Sequence, residues 1–131
     1  MPHTAVAVLK HEHVTGTVRF QTAHRESFHV HECGDMTRGC ASACAHFNPD
    51  KCNHGGLNSG VRHAGDLGNI WSVHGRAKGV VVAPGINVRP RSRRSAVGRC
   101  IIIHQEEDDL GEGDDAESRK TGNSGRRVAC G

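Results

Sequence analysis

Residues 28–31 read Phe-His-Val-His, and this alternation constrains the fold more than any other stretch of the chain. Successive side chains on a strand point to opposite faces. On a strand, Phe28 and Val30 share a face suited to a core, and His29 and His31 share the other. A Gly34-Asp35 pair then reads as a turn. Two imidazoles held side by side by a sheet are a rigid way to present a metal. Further donors follow downstream: His46, His54, His63, Asp66 and His104. Two histidines on a strand carry little weight alone; the whole series carries much more.

The rest of the chain supports a β reading. Its 131 residues suffice for one domain with its own core. The chain holds 17 glycines and no long amphipathic run, and its apolar segments are short and β-branched. Strands are expected at Ala5–Leu9, Val14–Phe20, Phe28–His31, Gly79–Ala83 and Cys100–His104. Short strands joined by long polar loops suggest an all-β sandwich or barrel. The N-terminal stretch has no apolar run of the signal-peptide type, and nothing approaches a membrane span. A cytoplasmic setting is the default expectation.

Charge is segregated. From Arg76 to Arg99 every charged residue is basic, and from Glu106 to Glu117 every one is acidic. The basic block could contact nucleic acid, but it lacks interleaved aromatics and a base-reading motif. Both blocks are expected to be solvated loops. The six cysteines do not form a paired CxxC ribbon. A thiolate zinc site of Cys33, Cys40, Cys44 and Cys52 is one alternative, but the histidines of the same span offer a better-ordered one. Cys100 reads as a small core residue, and His11, His13, His24 and His74 as surface residues.

Taken in order, FHVHECGD at 28–35, GCASACAHFNP at 39–49, HGG at 54–56, RHAGDLGN at 62–69, IIIHQEEDDLG at 101–111 and KTGNSGRRVACG at 120–131 resemble the copper/zinc superoxide dismutases. The resemblance covers residues 28–131, with a weaker match at AVAVLK. It implies an all-β Greek-key β-sandwich or barrel, immunoglobulin-like, with long metal-binding and electrostatic loops and one or two peripheral strands lacking. Residues 1–131 would form a single domain.

The resemblance also implies site residues. His29, His31, His46 and His104 match copper ligands, and His46, His54, His63 and Asp66 match zinc ligands, with His46 bridging the two ions. Imidazoles suit both oxidation states of copper, and zinc suits a closed tetrahedral set. Asp108 matches a carboxylate linking His54 to His29. Cys40 and Cys130 match a disulfide. Arg127 matches the arginine that holds the anion beside copper, with Lys120 and Thr121 along the entrance. The implied reaction is dismutation of superoxide to dioxygen and hydrogen peroxide, by a redox-cycling copper beside a structural zinc, with His46 delivering a proton.

Some features depart from the family pattern. Only seven residues separate Phe20 from Phe28, and the chain stops at Gly131, directly after Cys130. Two segments of the usual frame are expected to be missing, which puts the family's homodimer in question. Ser27 and Cys44 stand where the family prefers glycine. Glu106 and Glu112 occupy a loop where lysines often attract the anion, so steering should be weakened. The expectation is an active or weakly active superoxide dismutase. The alternative is a non-catalytic relative that buffers copper or occupies a copper chaperone. A nucleic-acid-binding zinc protein is the third reading. Superoxide and a copper chaperone are the expected partners; membrane and nucleic acid are not.

Overall fold

The computed structural model describes residues 5–6, 17–18, 25–73, 77 and 79–131. Its elements, in chain order, are β1 (Ala5–Val6), β2 (Thr17–Val18), β3 (Arg25–His31), β4 (Thr37–Cys40), a 3-10 turn (Ala41–Ala43), β5 (Asp66–Trp71), β6 (Cys100–His104), a one-turn helix α1 (Ser118–Thr121) and β7 (Arg127–Cys130). Strands β1 and β2 pair antiparallel, and β5-β3-β6-β7 form a four-stranded sheet whose neighbours are all antiparallel.

Register turns the sequence alternation into two distinct faces. Phe28 lies opposite Ile103 and Val30 opposite Ile101, so these four share one face. Ser27, His29 and His31 lie opposite His104, Ile102 and Cys100, and share the other. On the first face Val30 packs with Phe47, Ala64 and Leu67, and Ile103 packs with Ala129. On the second, Ile102 and Cys100 pack against Ala43 of the 3-10 turn. Burying Ile102 and Ile103 fully contributes roughly 2 kcal/mol each. The imidazole face is therefore backed by rigid core on the same strands.

The loop between β4 and β5 is laced to β3 by backbone bonds. Phe47 N–H donates to the Val30 carbonyl at 2.8 Å, Val30 N–H to Gly65 at 2.9 Å, and Gly65 N–H to Phe47 at 2.9 Å. A side chain at Gly65 would collide with the Val30 carbonyl, so only glycine lets the two backbones approach this closely.

Several expectations change. Gly79–Ala83 is not a strand; Val80 and Val82 are 79% and 78% exposed. Its β-branched apolar run is real, but among the described residues no strand pairs with it, and β propensity without a partner stabilises little. Residues 66–71 form a strand that is not among the expected ones. Ser27 pairs with Asn69 and His29 with Asp66, so β5 carries one extra residue there, with Gly68 at a φ of 82°. That is a bulge made by glycine. Of the two N-terminal strands, only Ala5–Val6 and Thr17–Val18 are described, and the remainder lies outside the described residues. His11, His13, His24 and His74 lie outside them too.

Three arginines of the exposed basic block are tied to the chain. Arg93 and Arg94 both pair with Asp50, Arg94 also donates to Gly85, and Arg99 donates to Glu32 and stacks 3.6 Å over Phe47. These arginines pin the long loop to its own chain. Two disulfides, Cys40–Cys130 and Cys33–Cys44, leave Cys52 and Cys100 as the free thiols among the described residues. The thiolate zinc alternative is thereby ruled out, because three of its four sulfurs are bonded elsewhere. Cys100 is buried in the core.

Candidate metal centre

Register places His29 and His31 of β3 and His104 of β6 on one face. His46 joins them from the loop, where it bridges to His31. All four are buried, and one ring nitrogen of each lies within 4.8 Å of the others. Their hydrogen bonds define which nitrogens are bare. His31 Nδ1 lies 3.0 Å from the Cys44 carbonyl, and His104 Nδ1 lies 3.2 Å from the Gly125 carbonyl. A carbonyl only accepts, so both rings carry their proton on Nδ1. Their bare Nε2 atoms then face each other at 3.3 Å. His29 Nε2 donates to Asp108 at 2.8 Å, which leaves its buried Nδ1 bare and without a partner. His46 Nε2 is likewise buried without a partner.

A second set gathers around Asp66. Its Oδ1 lies 3.0 Å from His46 Nδ1, 3.0 Å from His54 Nδ1 and 3.2 Å from His63 Nδ1. His46 and His63 Nδ1 are 3.4 Å apart. The other Asp66 oxygen accepts from the Gly55 and His63 backbone N–H groups, which fixes the carboxylate. His54 Nε2 donates to Asp108 at 2.7 Å, so its Nδ1 is the nitrogen turned toward Asp66. His29 also falls within reach of His46, His54 and Asp66. Its Nε2 is already taken by Asp108, however, and its free Nδ1 belongs with the first set.

Asp108 is itself held. Asn69 receives and donates one hydrogen bond each with its backbone, both at 2.8 Å. Leu110 N–H donates to Oδ1 at 2.7 Å. Gly122, at a φ of 69°, passes so close that a Cβ there would meet the Asp108 carboxyl and stand 2.5 Å from His54 Nε2.

The electrostatics follow from burial. Loss of water holds His29 down from its ordinary 6.5 to about 3, His31 to about 2 and His104 to about 4, and it lowers His46. For His54 burial works the same way, but the carboxylates of Asp108 and Asp66 outweigh it and raise the ring to about 9. Burial opposes ionisation of Asp66 and Asp108 as well. The rings of His46, His54 and His63 nevertheless hold Asp66 well below the carboxylate range, and His29 and His54 hold Asp108 at about 2.

A pH dependence follows for the metal-free chain. Unfolded histidines take up protons near pH 6.5. Folded His29, His31, His46 and His104 resist until lower pH, so below 6.5 the unfolded chain binds more protons. Stability therefore falls as pH drops from about 6.5 toward 3. His54 acts oppositely: its contribution is full below 6.5 and is lost as pH rises through about 9. Four rings against one give a net loss on the acid side. The melting temperature of metal-free protein should fall steadily between about pH 7 and about pH 4, and a flat profile would contradict this accounting.

A cavity opens onto the first set, lined by His31, Cys44, His46, His104, Lys120, Thr121 and Arg127, together with Glu117 and Asn123. Arg127 donates to the Cys40 carbonyl at 2.7 Å and to the Cys44 carbonyl, which fixes its guanidinium on the wall. Glu106 and Glu112 are exposed and do not line the cavity; the acid that does is Glu117. Sequence reading missed Glu117, Asn69 and the Cys33–Cys44 bond. The glycine-to-cysteine departure at Cys44 was the one available signal for the bond.

Both sets fit metal ions. In the first set buried lone pairs converge with no proton donor between them, which only a cation or a proton can relieve, and in the second three imidazole nitrogens converge on one carboxylate oxygen. Tetrahedral zinc with bonds of about 2.0–2.1 Å sets its donors about 3.3 Å apart, close to the spacings around Asp66. The all-imidazole first set suits copper.

Comparison with known proteins agrees with this chemistry. The family model for copper/zinc superoxide dismutase (SODC) matches residues 5–131. A superoxide dismutase [Cu-Zn] of Paramecium bursaria Chlorella virus 1 is 44% identical over 146 residues, covering 98% of this chain and 76% of the relative. One from Saccharomyces cerevisiae is 44% identical over 147 residues, covering 97% and 94%. The crystal structure of the clock protein EA4 superposes with a TM-score of 0.82 at 39% identity, covering 91% of this chain and 75% of that one. The all-β sandwich, the paired imidazole sets and a match running from residue 5 to residue 131 lead to one conclusion: the chain belongs to the copper/zinc superoxide dismutase family.

Proposed function

We propose that His29, His31, His46 and His104 hold copper, that His46, His54, His63 and Asp66 hold zinc, and that Arg127 and His46 carry the dismutation of superoxide to dioxygen and hydrogen peroxide. One observation carries this reading: His31 and His104 present bare Nε2 atoms 3.3 Å apart, beside the unpartnered nitrogens of His29 and His46, under a cavity that also holds Arg127.

When bound, copper supplies the one-electron exchange, and zinc a fixed charge that orders the loop. The protein supplies the rest. Arg127 presents a permanently charged fork to a small anion, pre-aimed by the Cys40 and Cys44 carbonyls. Lys120 and Thr121 line the same cavity and shape the approach. His46 reaches both sets, and its Nε2 is placed to hold a proton and pass it to the reduced substrate. Asp108 fixes the tautomers of His29 and His54 together, so each ring turns Nδ1 inward. Asp108→Asn should lower copper and zinc affinity on the order of tenfold, as read by competition with a chelator. Unchanged affinity for both metals would remove Asp108 from the site.

The deciding experiment is metal content measured together with superoxide consumption on the purified chain. Copper and zinc near one each with turnover supports the enzyme. Full metal without turnover favours the non-catalytic metal-binding relative. Delivery of copper by a chaperone belongs to this reading, supported by four buried donors. No helix among the described residues is long and apolar enough to cross a membrane. The cytoplasm is the compartment we assign, and fractionation after rapid thiol trapping tests it.

A further inference from the structure

We propose that the Cys33–Cys44 disulfide is a positioning device for the reaction: it holds the Cys44 carbonyl where His31 and Arg127 both donate to it. The inference rests on the roles proposed above for His31 and Arg127.

Cys44 has a φ of 63° and a ψ of −154°. That region is open to glycine and costs any other residue strain, which persists only where the surroundings over-determine it. Its carbonyl accepts from His31 Nδ1 at 3.0 Å and from the Arg127 guanidinium. One backbone oxygen therefore sets the tautomer of a metal-facing ring and the aim of the anion-binding fork. A residue with a Cβ, left free, relaxes toward ordinary angles and swings this carbonyl away from both donors.

The bond to Cys33 opposes that relaxation. Cys33 lies two residues beyond His31, and its N–H donates to the Ala43 carbonyl at 3.1 Å. Next to it, Glu32 N–H donates to Ala45 at 2.9 Å. The disulfide thus closes an 11-residue separation across two segments already paired on either side of Cys44. Cys44 is anchored to the end of the strand that carries His31.

The test compares wild type with C33A/C44A and C33A/C44G, both of which retain Cys40–Cys130. The alanine form keeps a Cβ at position 44 without the tether, whereas glycine takes the native angles unstrained. Two signals are read. In metal-free protein, the ¹⁵N shifts of the His31 ring report which nitrogen is protonated. In copper-loaded protein, titration with azide, a small linear anion, reports the aim of Arg127. C33A/C44A should lose the pure Nδ1–H form of His31 and bind azide roughly tenfold more weakly, with superoxide turnover falling in parallel. C33A/C44G should recover most of all three. If C33A/C44A fails to fold, Cys33→Ser alone poses the same question. The proposal is overturned if C33A/C44A matches wild type in both signals, or if the glycine form falls as far as the alanine form. Wild type that shows the tautomer pattern but no azide response would instead sink the copper and Arg127 assignment and leave the positioning of His31 standing.

Discussion

Replacing Arg127 by glutamate is expected to lower superoxide consumption by about a hundredfold or more, the scale for losing a preorganised charge donor in an active site, while copper and zinc content stay near wild type. Arg127 donates to the Cys40 and Cys44 carbonyls and contacts none of the metal-facing nitrogens, so metal binding does not depend on it. Reversing its charge puts an acid beside Glu117 on the cavity wall and repels the substrate anion. Exposed charges are screened within about 8–10 Å at ordinary ionic strength. Glu106 and Glu112, outside the cavity lining, should therefore tune the rate far less. Arg127→Lys should retain part of the activity, because the charge survives and the fork does not. Full copper with unchanged turnover in the glutamate form would overturn the role given to Arg127.

Removing the Cys40–Cys130 bond is expected to be the most destabilising change in the metal-free chain. It closes a separation of 90 residues, and the loss of chain entropy for a loop this long gives about 4–5 kcal/mol as an upper figure. β7 is an edge strand that pairs with β6 at three positions, and Gly131 exchanges backbone bonds with Ile101; the disulfide adds the covalent tie to β4. Cys130→Ser should shift the urea midpoint of the metal-free protein strongly downward. The same substitution should also reduce turnover, because Cys40 supplies one of the carbonyls that hold Arg127. An unchanged midpoint would mean that the sheet alone secures the terminal strand.

Much of the site was legible because its residues carry chemistry and their spacing is local. The His29–His31 alternation predicts one strand face, and His104 closes the apolar run of β6 that pairs with it. Cys40, Cys130 and the order of the ligand positions came from family resemblance, since no local pattern joins positions so distant. Gly79–Ala83 shows the limit in the other direction. Its run of three valines has as much β propensity as the apolar run of β6, yet no described strand pairs with it. The acids were legible as a block, but which of them faces the cavity was not.

The two-faced strand at 28–31, the donor types that suit two metals and the charge segregation of the long loops can be read from local sequence. These are properties of local periodicity and side-chain chemistry, and they survive any arrangement of the remainder. Which ring nitrogens are bare depends on folding, because the Cys44 and Gly125 carbonyls are brought in from distant segments. Tertiary contacts also decide that Cys33 bonds Cys44, that Glu117 rather than Glu106 or Glu112 lines the cavity, and that Asn69 holds Asp108. Each of these rests on contacts between separate segments, and beyond the cysteine at position 44 no local pattern names the partner.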